Sequence, residues 1–282
     1  MFATLERKAF EVKIAEYTSL LQRNGINSLT FKGWLAANNY PETHYRQYTD
    51  IDLAVAPEYY DRAIALIRAA KPKGIAVDLH KGFRHLDRLS WEQIFSRSQT
   101  VILNNTEVRV PCPEDHLRIM CVHWLTDGGE YKHRLWDIYY AVANRPDDFD
   151  WDKCLQPVSA VRQEWVITCI GLAHRYLGLE IEDLPFAERA KDLPEWLTKR
   201  LEYEWENRVP LRPLRIVYRD PSLLIQQLRK RFPPNPIYST IDMEGSFASR
   251  TRFFYHLGSM LKRSRNTVRD FYHIIRHRSS RK

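Results

Sequence analysis

Residues 48–55, YTDIDLAV, restrict the chain to few folds. Ile51, Leu53 and Val55 alternate with Asp50 and Asp52, which is the period of a β-strand with one apolar and one acidic face. The apolar face needs a core against it. The acidic face sets two carboxylates about 6.5–7 Å apart along the backbone, pointing the same way. A sheet must therefore be present, with this strand in it.

The flanking sequence predicts what that sheet joins. Leu5, Phe10, Ile14, Tyr17, Leu20 and Leu21 recur at helical spacing, which predicts a helix over 4–23 that Asn24-Gly25 stops. Ile26 to Phe31 reads as a short strand, Lys32-Gly33 as a turn, and Trp34 to Asn39 as the start of a helix. Pro57 sits where an N1 proline opens a helix over 58–70, and Ile75 to His80 is the next strand, carrying Asp78. Asn104-Asn105 marks a hairpin. From Pro113 strand signals fade, and helical patterns follow at 113–125, 130–144, 158–176, 194–208 and 221–231, with Pro-rich joints at 209–213 and 232–236. The expectation is an α+β fold: a small mixed sheet in an α/β-like unit over 1–112, a helical domain over 113–235, and a basic tail over 236–282.

Composition enters through charge. The net charge is +8, yet residues 250–282 hold ten Lys or Arg against the single acid Asp270, so the tail carries +9 and the remainder about −1. The basic character belongs to the tail. Cys112, Cys121, Cys154 and Cys169 lack metal-ligand spacing and read as small buried residues in a reducing compartment. The apolar stretches fall well short of the roughly 20 residues that span a bilayer. The N-terminus has charges every few residues and no apolar run, unlike a signal peptide, so a cytoplasmic location is expected.

Chemistry concentrates on Asp50 and Asp52. Two carboxylates at strand spacing can share one divalent cation or bridge two, and hard oxygen donors suit Mg²⁺ or Mn²⁺ with substrate phosphates filling the other positions. Asp78 on a neighbouring strand would complete a two-metal site for in-line phosphoryl displacement. An isolated acid pair of this kind is usually a solvated edge. Here an apolar strand, a preceding strand–turn–helix unit and a second Asp-bearing strand give it context.

In their order and spacing, Phe31-Lys32-Gly33, Tyr40-Pro41, Arg46, Asp50-Ile51-Asp52-Leu53-Ala54-Val55 and Asp78-Leu79-His80 resemble the uncharacterised nucleotidyltransferases of the DNA polymerase beta-like superfamily. Residues 113–117 (PEDHL) and 133–138 (HRLWDI) are similar too, so the likeness covers about 10–145 and extends loosely to about 180. The resemblance implies an NTP donor, with Asp50 and Asp52 binding the catalytic metals and Asp78 as third carboxylate and general base. The wider superfamily holds the triphosphate with a Gly-Ser turn. This chain has Lys32-Gly33 there, which makes Lys32 the candidate contact to a β- or γ-phosphate and lets the backbone approach a phosphate at Gly33. The acceptor, whether small molecule, peptide, protein or RNA, is left open.

Other residues admit blander roles. Arg46 either neutralises a phosphate or pairs with a site carboxylate to hold its loop. His80 shares a face with Asp78 and either relays a proton or is fixed by hydrogen bonding. His116, His123 and Asp137 lie on helices near apolar positions and read as core or supporting residues, as do Trp124, Trp136, Trp151 and Trp165. In the tail, Phe254, Leu257, Leu261, Val268, Phe271, Tyr272 and Ile275 follow helical spacing among Arg and Lys. That pattern fits a helix docked on the body with a solvated basic face, a segment on an anionic membrane, or a nucleic-acid or acidic-partner contact. The competing functional class is a non-catalytic binding protein whose acids are vestigial and whose tail does the recruiting.

Overall fold

The computed structural model describes residues 2–70, 74–83, 89–207, 209–212, 214–217 and 219–263. Its first elements are α1 (Phe2–Arg23), β1 (Ser28–Phe31), α2 (Gly33–Ala37), β2 (Asp50–Val55), α3 (Tyr60–Ala69) after a 3-10 turn at Pro57–Tyr59, β3 (Ala76–Lys81), α4 (Trp91–Arg97), β4 (Gln99–Leu103) and β5 (Thr106–Val110). The strands form one five-stranded mixed sheet in the order β3-β2-β1-β5-β4. β2 runs parallel to β3 and antiparallel to β1, while β1 runs parallel to β5 and β4–β5 is an antiparallel hairpin. Asn104 and Asn105 both take positive φ (46° and 59°), the twist that a two-residue hairpin loop needs and that Asn tolerates.

The alternation in β2 places its two kinds of residue as expected. Ile51, Leu53 and Val55 lie with Phe10, Ile14, Tyr17 and Leu21 of α1 and Ile67 of α3 in one core cluster. On the opposite face Ala54 joins Leu29, Phe31, Phe83, Ile94 and Ile119. Asp50 and Asp52 belong to that second face, so α1 and α3 bury one side of the sheet and leave the acids on the other.

Helices make up the rest: α5 (Pro113–Thr126), α6 (Leu135–Ala143), α7 (Trp151–Leu155), α8 (Ala160–Leu177), α9 (Ala187–Lys191), α10 (Glu195–Glu206), α11 (Leu214–Val217), α12 (Pro221–Arg231), α13 (Pro236–Asp242) and a helical run over 253–263. A mixed sheet followed by helices is the α+β architecture expected. The 130–144 pattern resolves into a 3-10 turn at Lys132–Arg134 and the shorter α6. All four cysteines are free and buried. Among the described residues no helix is long and apolar enough to cross a membrane. Val268, Phe271, Tyr272 and Ile275 lie outside the described residues.

The chain divides into two compact units, Met1–His123 with Arg134–Lys191, and Trp124–His133 with Asp192–Lys282. In the first, Asp115 is fully buried and takes guanidinium groups from Arg97 at the end of α4, at 2.9 Å, and from Arg118 one turn along α5. Arg118 also donates to the Lys153 carbonyl at 3.1 Å, and Glu114 meets Lys153 Nζ at 3.2 Å. This staple ties α4, α5 and α7 together. In the second unit Trp205 Nε1 donates to the Gly129 carbonyl at 2.8 Å, and Lys230 joins Glu130 (2.9 Å) and Glu204 (2.5 Å).

Candidate active site

β2 and β3 pair in parallel with Asp52 beside Asp78, Ala54 beside His80 and Asp50 beside Ala76. Equal register puts Asp50, Asp52, Asp78 and His80 on one face of the sheet. His80 Nε2 lies 3.1 Å from Asp52 Oδ1 and 3.1 Å from Asp78 Oδ2. Lys32 Nζ donates to the same Asp52 oxygen at 3.1 Å and stands 3.4 Å from His80 Nε2. Phe31 floors the group, with its ring edge-on to His80 at 4.9 Å and Lys32 Nζ 5.0 Å above its centroid.

The charges in this group do not balance. Asp52 is buried, which favours its neutral form, but the hydrogen bond with His80 and the Lys32 ammonium outweigh that and hold its pKa below the usual range. Asp50 goes the other way: burial first, then the negative charges of Asp52 and Asp78, push its pKa up. The Asp78 side chain is 57% exposed and faces solvent. Three carboxylates thus share one ammonium and one imidazole, a local surplus of negative charge.

Asp52, Asp78 and His80 each offer a ligand atom within 4.8 Å of the others, a group that could hold a metal ion. Asp50 stands one pleat along β2, outside that set and coupled to it by charge. The donor chemistry fits a divalent cation: carboxylate oxygens, one imidazole nitrogen, and an electrostatic deficit that a cation would relieve.

Lys32 reaches the cluster through a turn that costs backbone energy. Its φ of 55° and ψ of −124° belong to a region favoured by glycine, worth about 1–3 kcal/mol of strain for another residue. Gly33 suits the place because a Cβ there would come 3.2 Å from Tyr48 Cβ, tighter than most packed side chains. Arg46 holds this turn from outside, with Nη1 donating to the Gly33 carbonyl at 3.2 Å. Its other nitrogens form a bidentate pair with Asp137 of α6 at 2.5 and 2.7 Å. Arg46 therefore engages Asp137, not Asp50 or Asp52, and links the turn to α6. The Tyr40 hydroxyl donates to Asp137 at 2.7 Å, and His44 Nδ1 lies 2.8 Å from the Tyr140 hydroxyl, so the whole 40–46 loop is pinned on that helix.

Asp137, expected to be a core or supporting residue, supports the turn by holding Arg46. Its partner lies 91 residues away, and no local pattern pairs them. His116 and His123 of α5 flank the same region. Burial lowers the His116 pKa to about 4, and burial together with the Lys32 and Arg134 charges lowers that of His123 to about 3, so both imidazoles are neutral.

A family model described as an uncharacterised nucleotidyltransferase matches residues 3–71 and 68–178, more than half of the chain. No curated protein matches. Among solved structures, an antigenic nucleotidyltransferase-like protein from Paracoccidioides brasiliensis is similar at 10% identity and a TM-score of 0.43, covering 65% of this chain and 92% of that one. With the family model spanning the strand acids, the Lys32 turn and the α6 aspartate, the chain belongs to the uncharacterised nucleotidyltransferase family.

Proposed function

We propose that the chain moves a nucleoside monophosphate from an NTP to an acceptor hydroxyl or phosphate, with pyrophosphate leaving. The observation that carries this reading is the cross-strand register of Asp52 and Asp78, with His80 Nε2 3.1 Å from a carboxylate oxygen of each. Asp50, Asp52 and Asp78 would hold Mg²⁺, or Mn²⁺ in its place, and His80 orients Asp52 and Asp78. When bound, such a cation neutralises triphosphate oxygens and lowers the pKa of the attacking hydroxyl.

Asp78, the exposed carboxylate, takes the acceptor's proton as the acceptor oxygen bonds to the α-phosphorus and the bond to the pyrophosphate oxygen breaks. Lys32 exchanges Asp52 for a β- or γ-phosphate oxygen, and its turn fixes the ammonium in place before substrate arrives. Gly33 keeps the backbone close to that phosphate. Arg46 acts through Asp137 and the Gly33 carbonyl as a positioning residue. In this reading residues 1–112 are the catalytic domain, 113–235 the helical domain and 236–282 the tail.

Calorimetric titration of each NTP with Mg²⁺, into the wild type and Asp52→Asn, tests the reading without knowledge of the acceptor. Metal-dependent binding of at least one NTP, lost in the variant, is expected. Absence of NTP binding by either protein rejects it and leaves a binding protein with vestigial acids.

A further inference from the structure

The helical run over 253–263 is docked by its polar side. Arg252 stacks on Trp196 at 4.1 Å and donates to the Ser249 carbonyl at 2.6 Å. Arg263 stacks on Tyr238 at 4.1 Å, Lys262 pairs with Asp242 at 2.7 Å, and Ser259 is fully buried. Arg252, just before the helix, and Arg263, at its end, lie against protein rings, while Lys262 stays 55% exposed and reaches back to Asp242.

The apolar face points outward. Phe253 is 63% exposed, Phe254 69%, Leu257 44% and Leu261 57%, with Met260 exposed beside them. At 100° per residue these five fall within an arc of about 120°, one continuous stripe rather than scattered side chains. The Phe253 and Phe254 rings pack edge-on at 5.6 Å, presenting a joint aromatic surface. A stripe of this kind on a soluble face marks a contact.

Positive charge flanks the stripe in the sequence. Arg250, exposed and without a partner among the described residues, precedes it by three positions. Residues 264–282 follow it directly with Arg265, Arg269, Arg276, Arg278, Arg281 and Lys282 against Asp270 alone, a net +5. Charge of one sign decides between occupants. A second copy would set +5 against +5, which opposes the apolar gain. Nucleic acid would match the charge and leave the aliphatic stripe wet. An anionic bilayer satisfies both, because Phe and Leu enter the headgroup boundary while Arg and Lys stay with the lipid phosphates.

We propose that the 253–263 helix lies on an anionic membrane surface, inserting Phe253, Phe254, Leu257 and Leu261, with residues 264–282 supplying the electrostatic attraction. Each signal is weak alone, and together they give reversible anchoring. The inference is independent of nucleotidyl transfer, and its test uses no nucleotide.

The test is co-sedimentation of the full chain with vesicles of phosphatidylcholine and with vesicles containing about one third phosphatidylglycerol. Binding to the anionic vesicles alone, weakened by raising the salt, is expected. Phe253→Ser with Phe254→Ser should weaken it at least about tenfold, and Arg276→Glu with Arg278→Glu by a similar factor. The phenylalanine pair should retain the wild-type melting temperature, since both rings are exposed. Equal binding to neutral vesicles overturns the proposal. So does an absence of sedimentation, whether the stripe is then covered by residues 264–282 or by a second copy. Retention of an RNA oligomer and of anionic vesicles alike, with neither changed by the phenylalanine pair, assigns the tail to nucleic acid and overturns it too.

Discussion

Asp115 and Asp52 are both buried aspartates held by cationic side chains, and they differ in what surrounds the pair. Asp115 has two guanidinium groups, Arg97 and Arg118, and no second carboxylate in its contact set. Asp52 has one ammonium on a flexible stem, shares an imidazole with Asp78, and has Asp50 and Asp78 beside it. The first cluster is rich in positive charge and closed, so it can only brace. The second is rich in negative charge and opens through Asp78, so it has capacity for a cation. Residue type alone does not distinguish a staple from a site; charge surplus and access do.

The sharpest way to break this comparison is one chemical change made in both places. Asp115→Asn should cost about 3–5 kcal/mol of unfolding free energy, because the buried Arg118 and partly buried Arg97 guanidinium groups lose their counter-charge. Asp78→Asn should leave stability within about 0.5 kcal/mol, as an exposed side chain leaving a repulsive cluster. Urea denaturation of the pair decides; comparable losses at both positions would erase the distinction.

Arg46 lies between the extremes, bracing one end of the site. Arg46→Lys keeps the charge but not the fork that meets Asp137 at two points and Gly33 at a third. A loss of about 2–3 kcal/mol is expected, with NTP affinity reduced through the displaced Lys32 turn. Full NTP affinity in this variant would mean that the turn holds itself.

Acid should expose a further difference. The His116 pKa falls from 6.5 to about 4 in the folded chain, chiefly by burial, with Arg46 lowering it further against Asp137 and Asp52. Between those values the unfolded chain binds more protons, so stability is complete above pH 6.5 and declines as pH falls towards 4, by up to about 3 kcal/mol. Melting curves of the wild type and His116→Gln across that window should show the slope flattened in the variant. Equal slopes would place the acid sensitivity elsewhere.

The smallest effect is at Lys32. Lys32→Gly removes the cost of φ 55° and should raise stability by up to about 1 kcal/mol, while weakening triphosphate binding. Lower stability in this variant would mean that the Lys32–Asp52 pair outweighs the strain.

The parts of this structure legible in the sequence are those set by local period and local turn chemistry. The alternation in β2, the Asn104-Asn105 hairpin, the Asn24-Gly25 stop and the helices over 113–126 and 221–231 each follow from side chains within a few positions of one another. The β2–β3 face was visible because Asp52 and Asp78 lie on two strands joined by one helix. What stayed hidden depends on residues distant in sequence. Asp137 read as a core or supporting residue of α6, but its partner Arg46, 91 positions away, became visible only in the fold. The turn at Lys32-Gly33 was readable, but the positive φ falls on Lys32 rather than on the glycine beside it, and no pattern at 31–34 signals that. Over 253–263 the helical spacing was readable but its orientation was not, because the ring contacts of Arg252 with Trp196 and of Arg263 with Tyr238 that dock it join positions distant in sequence.

The surplus of acid on β2 and β3 could hold a cation, and the proposed transfer depends on its doing so. Titration of Mn²⁺ followed by loss of its free-ion spin resonance signal, with and without an NTP, measures this directly. Wild type should take up Mn²⁺ most tightly with NTP present, Asp52→Asn and Asp78→Asn should each lose that uptake, and Lys32→Gly should retain Mn²⁺ binding while losing part of the NTP enhancement. Uptake by Asp52→Asn equal to that of the wild type would contradict the claim.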